Sequence, residues 1–332
     1  MNKTYCFSSI IGVKLDQYLT LKHALGRQYE LGYRTLKNLD LFLHSTKRDL
    51  TSKSFADWCD TQKHLATGVR RNRMFIIRNF CLYRQRTIHG CFVPDQLQFP
   101  AHHQTIQPHV FTKNEITRLF SAIKTLKSGS NSPIRQENFN LALVLLYTTG
   151  LRRGELCRLT VGDYNKKEHA LLIRESKFHK SRIIPLSSDG WNTLEAYLKK
   201  RNIYKLPTSM DSPLLWNNSG KNRVGFYTGT SIGTTFNSIF LTANIHTIRG
   251  TTPRVHDFRH SFAVNALLRW YNNGDDDIQA KLPLLSTYMG HVSVVSTQYY
   301  LKFIEDIVGI ASKRFEKTYS KLITKSNKRG KV

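Results

Sequence analysis

Pro253-Arg254-Val255-His256-Asp257-Phe258-Arg259-His260-Ser261-Phe262-Ala263 opens a segment that ends in Gly290-His291 and, nine residues on, Tyr300. From His256 to Tyr271 the residues Phe262, Ala263, Ala266, Leu267 and Trp270 recur at helical spacing, which predicts a helix with one face in a core. His256 and Arg259, three apart, then lie one above the other on its first turn. Leu284-Leu285-Ser286-Thr287-Tyr288-Met289-Gly290 reads as a further helix ended by glycine, with His291 presented from the turn. Two imidazoles, a guanidinium and a phenol make a set able to hold a phosphate beside a phenol nucleophile. A second guanidinium stands upstream in Thr149-Gly150-Leu151-Arg152-Arg153-Gly154-Glu155-Leu156.

Leading into that second motif, residues 139–149 are almost wholly apolar and belong in a core as a helix. Arg152 is expected at the junction with a short helix beginning near Arg153, and Glu155 is placed to hold Arg152 or Arg153. An Arg-x-x-Glu pair is also a common helical ion pair. Ala170–Arg174 and Arg182–Leu186, joined by a short polar link, read as a β-hairpin carrying Lys177 and Lys180. Asp189–Lys200 reads as an amphipathic helix capped by Asp189, residues 201–229 as loop with a short strand at Leu214-Leu215-Trp216, and Ser231–Ala243 as another helix. Thr112 and Glu115 form a capping box at the head of this region. Asp275, Asp276 and Asp277 are consecutive in a polar turn and do not converge as metal ligands do.

Residues from about 10 to 92 read as helices. The segment 69–86 interleaves Val69, Met74, Ile77, Phe80 and Cys81 with Arg70, Arg71, Arg73, Arg78, Arg84 and Arg86. Such a helix buries one side and offers arginines on the other, either to DNA phosphates or to solvent. Pro94, Pro100 and Pro108 fall in a stretch, 93–112, with little apolar periodicity, which reads as an inter-domain linker. The expected organisation is a helical DNA-clamping domain at 1–95, a linker at 96–111, a larger catalytic domain at 112–310 and a basic tail at 311–332. The fold class is mostly α with a small β-hairpin or sheet, arranged as a two-domain DNA clamp.

Fifty Lys and Arg against 23 Asp and Glu leave a net charge of +27 over 332 residues. A surplus that repels itself so strongly calls for a polyanionic partner, and double-stranded DNA is the leading one. No apolar run approaches the roughly 18 residues of a membrane span, so a cytoplasmic protein with no membrane partner is expected. The five cysteines are scattered, without Cys-x-x-Cys spacing, which argues for a reducing compartment and against zinc. No carboxylate cluster and no Gly-rich phosphate loop suggests a metal or nucleotide cofactor, and none is expected.

Taken in order, Arg152, the hairpin, His256-x-x-Arg259, Gly290-His291 and Tyr300 resemble the tyrosine recombinase (phage-integrase) family, over about residues 108–310. The resemblance implies that Tyr300 attacks a DNA phosphate and forms a 3′-phosphotyrosine link. It implies that Arg152 and Arg259 hold the phosphate oxygens, that His256 acts as base or proton shuttle, and that His291 donates a further hydrogen bond. Aligning the hairpin on Ile184-Pro185-Leu186 makes Lys177 the acid for the departing 5′ oxygen and Lys180 a backbone contact. Family spacing favours Tyr300 over Tyr299 as nucleophile, while Tyr288 reads as core. The resemblance implies a homo-tetramer working on two duplexes, and within the family the chain is most similar to recombinases carried by mobile elements such as transposons. A type IB-like topoisomerase and a catalytically silent DNA-binding protein are the rival readings.

Overall fold

A computed structural model describes residues 6–101, 107–130, 132–174, 181–218, 225–272, 278–290, 297, 300 and 301. The chain divides into two compact units between positions 106 and 107.

The first unit contains α1 (Gly12–Ala24), α2 (Glu30–Thr46), α3 (Ser52–Thr61) and α4 (Thr67–Gln85). Leu15, Tyr18 and Leu19 of α1, Leu36, Leu39 and Leu43 of α2, Trp58 of α3 and Ile77, Phe80 and Cys81 of α4 form one core. These positions repeat every three or four residues, so each helix buries a single stripe. Trp58 satisfies its indole N–H by donating to Asn38 Oδ1 at 2.9 Å. Val69 differs from expectation: it is exposed, because it lies on the first turn of α4, outside the stripe that starts at Met74.

The second unit begins with α5 (Lys113–Lys124), whose capping box forms as expected. Glu115 N donates to Thr112 Oγ1 at 3.2 Å, and Thr112 N donates to Glu115 Oε2 at 2.8 Å. There follow α6 (Arg135–Thr149), α7 (Arg153–Arg158), β1 (Tyr164–Asn165), β2 (Ala170–Ile173), β3 (Arg182–Pro185), α8 (Ser188–Ile203), α9 (Gly229–Thr242), α10 (Asp257–Asn272) and α11 (Ile278–Met289). The strands make an antiparallel sheet in the order β1-β2-β3, with Ala170 opposite Pro185 and Ile173 opposite Arg182. Buried at every residue from Leu141 to Leu146, α6 is the central rod, packed by α5, α8 and α10. No helix among the described residues is long and apolar enough to cross a membrane, and among them no three His, Cys, Asp or Glu gather as metal ligands.

Several boundaries differ from the sequence reading. Ser187, not Asp189, caps α8: its backbone is extended and its Oγ accepts from Gly190 N at 3.3 Å. Asp189 instead lies in the first turn, where its charge faces the helix dipole. Leu214, Leu215 and Trp216 are buried but make only isolated bridges, Thr160 to Pro213 and Trp216 to Phe226. The fully buried Arg201 supplies the missing donors, to Pro213 O at 2.7 Å and Leu214 O at 2.9 Å. Helix α11 starts at Ile278 rather than Leu284 and accommodates Pro283. The three consecutive aspartates and the basic tail lie outside the described residues.

Candidate active site

At the end of α6, Gly150 adopts φ +62°, and a methyl group there would lie 2.6 Å from the Phe262 ring. Only glycine combines that backbone with so close an approach to α10. The chain then passes through Arg152, extended at φ −71° and ψ 146°, into α7. Arg152 N donates to Glu155 Oε2 at 2.9 Å, and its Nη1 donates to Glu155 Oε1 at 2.7 Å. The expected choice between Arg152 and Arg153 thus resolves to Arg152.

Glu155 has a second cation, which sequence reasoning missed. Arg182, the first residue of β3, donates from Nη1 to Glu155 Oε1 at 3.0 Å and from Nη2 to Oε2 at 2.9 Å. Burial alone would raise the Glu155 carboxyl, but the hydrogen bonds from Arg182 and from the Arg152 backbone outweigh it and hold the pKa at about 2. Nothing local marks Arg182, since a charged residue opening a strand is ordinary and its partners are 27 and 106 residues away in sequence.

Three arginines from three elements converge on the C-terminal end of α11. Arg182 Nε donates to Tyr288 O at 2.9 Å, Arg259 Nη2 to Met289 O at 2.6 Å, and Arg152 Nη2 to Gly290 O at 2.6 Å. Terminal helix carbonyls lack intrahelical partners and carry the negative end of the dipole, so successive cations are favoured there. Gly290 has φ +67°, and a methyl group on it would come within 2.9 Å of Arg182 Nη1.

Arg259 is 1% exposed and also donates from Nη1 to Gly150 O at 2.7 Å. Its two carbonyl bonds fix the plane of the guanidinium. Burial first, and the Arg152 cation next, bring its pKa down to about 9, which leaves it charged at neutral pH. His256 precedes α10 instead of lying within it. Its carbonyl accepts from Arg259 N and His260 N, while Asp257 anchors the turn by accepting from Arg254 N at 2.8 Å. The His256 side chain is exposed to solvent, yet the packed surroundings and then Arg259 lower its pKa.

Tyr300 is 3% exposed and packs with Ala263, Leu267, Leu282, Leu285 and Met289 from α10 and α11. Its phenol lies near enough to act electrostatically on Arg259. The His260 ring is in contact with both reactive groups, 4.9 Å from the His256 ring and 5.5 Å from the Tyr300 ring by centroids. Its four-residue spacing from His256 was the visible signal that the two rings could meet. Tyr288 stacks on Phe262 at 5.4 Å, a packing role.

The structure therefore brings together Arg152, His256, Arg259 and Tyr300. Lys177, Lys180, His291 and Tyr299 lie outside the described residues. Arg70, Arg71, Arg73 and Arg78 sit on α4 in the first unit and are half-buried. Arg71 Nη1 donates to Pro100 O and its guanidinium lies 5.1 Å from the Phe75 ring. Arg73 Nη1 donates to Gln62 Oε1.

Residues 109–305 match the model of the phage integrase family. Over 311 residues the chain is 28% identical to y4rB of Sinorhizobium fredii (strain NBRC 101917 / NGR234), which is named for integrases and recombinases, covering 92% of this chain and 96% of that protein. Over 282 residues it is 27% identical to the tyrosine recombinase XerD of Rhizobium meliloti (strain 1021), covering 82% and 84% respectively. The fold is shared with the XerH site-specific recombinase bound to palindromic difH substrate in a post-cleavage complex, at TM-score 0.63 and 18% identity over 92% of this chain and 85% of that one. It is shared too with the Tn1549 transposon integrase in complex with transposon right-end DNA, at TM-score 0.59 and 17% identity over 86% and 94%. The chain belongs to the phage integrase family and is an enzyme of the tyrosine site-specific recombinase type.

Proposed function

We propose that the protein cuts and rejoins duplex DNA through a transient bond between Tyr300 and the 3′ phosphate at the break. The phenol oxygen attacks phosphorus, the bond from phosphorus to the 5′ oxygen breaks, and a 5′-hydroxyl is released. The phenol proton passes toward His256, and Lys177 supplies the proton taken up by the leaving oxygen. A phenol of pKa about 10 is a weak nucleophile at neutral pH, so the attack depends on cations at the non-bridging oxygens. Arg152 and Arg259 have that part, with His291 donating a further hydrogen bond. Because the ester bond energy is kept in the protein link, a second 5′-hydroxyl can reverse the step without ATP.

The observation that carries this reading is the anchoring of Arg152 and Arg259 to adjacent carbonyls, Gly290 and Met289, beside the buried Tyr300. The first unit serves as the DNA-clamping domain, with Arg70, Arg71, Arg73 and Arg78 on phosphates and Lys180 as a backbone contact in the second. A homo-tetramer on two duplexes and service to a mobile element follow from the family resemblance, and the transposon integrase of like fold supports the second.

The test uses labelled duplexes nicked just 3′ of the cleavage position, so that the short 5′-hydroxyl piece is lost and religation is blocked. Wild type and Tyr300→Phe are incubated with them in EDTA and separated on a denaturing gel. A covalent adduct confined to wild type is the expected result. An adduct that persists in Tyr300→Phe transfers the nucleophile to Tyr299.

A further inference from the structure

His260 has no part in the chemistry above, yet its ring touches both His256 and Tyr300. One turn beyond His256 on α10, its ring meets the His256 ring edge-on, at an interplanar angle of 88°, and the Tyr300 ring at 59°. Its Nδ1 is buried and has no hydrogen-bond partner among the described residues. A buried polar atom without a partner is costly, and a phenylalanine of similar shape would fill the space without that cost. The nitrogen is therefore open to a partner outside the described residues or in a bound substrate. His260 is also well suited to staying neutral: burial first, and the neighbouring His256 next, lower its pKa to about 4. A neutral imidazole adds no cation beside Arg259 and keeps Nδ1 available as donor or acceptor according to tautomer.

We propose that His260 is a positioning residue for strand cleavage, its ring setting the Tyr300 phenol relative to His256 and its Nδ1 making a hydrogen bond within this cluster when DNA fills the site. This rests on the reading of Tyr300 as nucleophile. The role is one of alignment, and misplacing a reacting group by about 1 Å can cost on the order of a hundred-fold in rate.

The experiment measures single-turnover adduct formation at saturating DNA, alongside DNA affinity, for wild type, His260→Phe and His260→Asn. Two probes are used: nicked duplexes tiling the DNA on both sides of the gene, and a pool of nicked duplexes of randomised sequence. His260→Phe keeps a ring and removes the nitrogen; it is expected to bind as wild type does and to form adduct on the order of ten- to a hundred-fold more slowly. His260→Asn returns a polar atom near the Nδ1 position and is expected to be faster than His260→Phe. Thermal unfolding checks each variant, and His260→Gln, polar but lacking an atom at Nδ1, replaces the Phe variant if that does not fold. Equal rates for wild type and His260→Phe overturn the inference and leave the nucleophile standing. So does an Asn variant no faster than the variant lacking Nδ1. A wild type that gives no Tyr300-dependent adduct with either probe removes the nucleophile reading and this inference with it.

Discussion

Glu155 is the residue on which the site's electrostatics turn. Its carboxylate accepts from the Arg152 backbone and side chain and from both Nη atoms of Arg182. Removing one partner of a buried ion pair leaves charge uncompensated, so Glu155→Ala is expected to cost roughly 3–5 kcal/mol, read from denaturant unfolding. The same carboxylate has a folded pKa of about 2 against an ordinary value of 4.5. A depressed carboxylate pKa stabilises the fold above the unfolded value and loses that contribution as protons bind. Between about pH 4.5 and pH 2 the wild type should therefore lose roughly 3 kcal/mol through this group, and Glu155→Gln should lose much less over that window. For His256 the pKa is lowered, so its base form persists below the usual histidine range. If it is the proton acceptor, the acid limb of the adduct-formation rate falls below about pH 6.5, and His256→Gln slows the reaction by on the order of 10²–10⁴.

Among the elements, α11 is held by its end. Its last carbonyls and the Gly290 carbonyl after them receive arginines from β3, α10 and the residue before α7. The helix is therefore fixed in relation to three other parts of the second unit. Gly150, at the end of α6, takes a part in the same assembly through its carbonyl bond from Arg259. Gly150→Ala would force a side chain into a left-handed backbone and into the Phe262 ring. A loss of roughly 2 kcal/mol or more in unfolding free energy is expected, together with slower adduct formation, because the carbonyl that aims Arg259 moves. At α5 the effect is smaller and purely local: Thr112→Ala should cost about 1 kcal/mol and leave adduct formation unaltered in a folded sample.

For the whole molecule, a net charge of +27 makes salt the natural variable. Each phosphate neutralised contributes about −0.9 to the slope of log affinity against log salt on duplex DNA. If Arg70, Arg71, Arg73 and Arg78 all contact phosphates, replacing the four with alanine should flatten that slope by about 3.6. An unchanged slope would return α4 to a packing role, in line with the bonds Arg71 and Arg73 already make to Pro100 and Gln62.

The order of the motifs, the largely helical fold and the positions of most helices can be read from the amino-acid chain alone. Those properties are local: apolar spacing sets which face a helix buries, and caps such as Thr112 with Glu115 act within one turn. That Arg152, His256, Arg259 and Tyr300 come together was expected from residue type, spacing and the family resemblance, and the structure brings them together. How they are held emerges only when the chain is folded. Arg182 and Arg152 meet at Glu155, three arginines meet at one helix end, and the His260 ring touches both His256 and Tyr300. Each of these depends on contacts between segments far apart in sequence. Such contacts leave no periodic trace, because the energy that selects them comes from burial and charge pairing once the chain is packed.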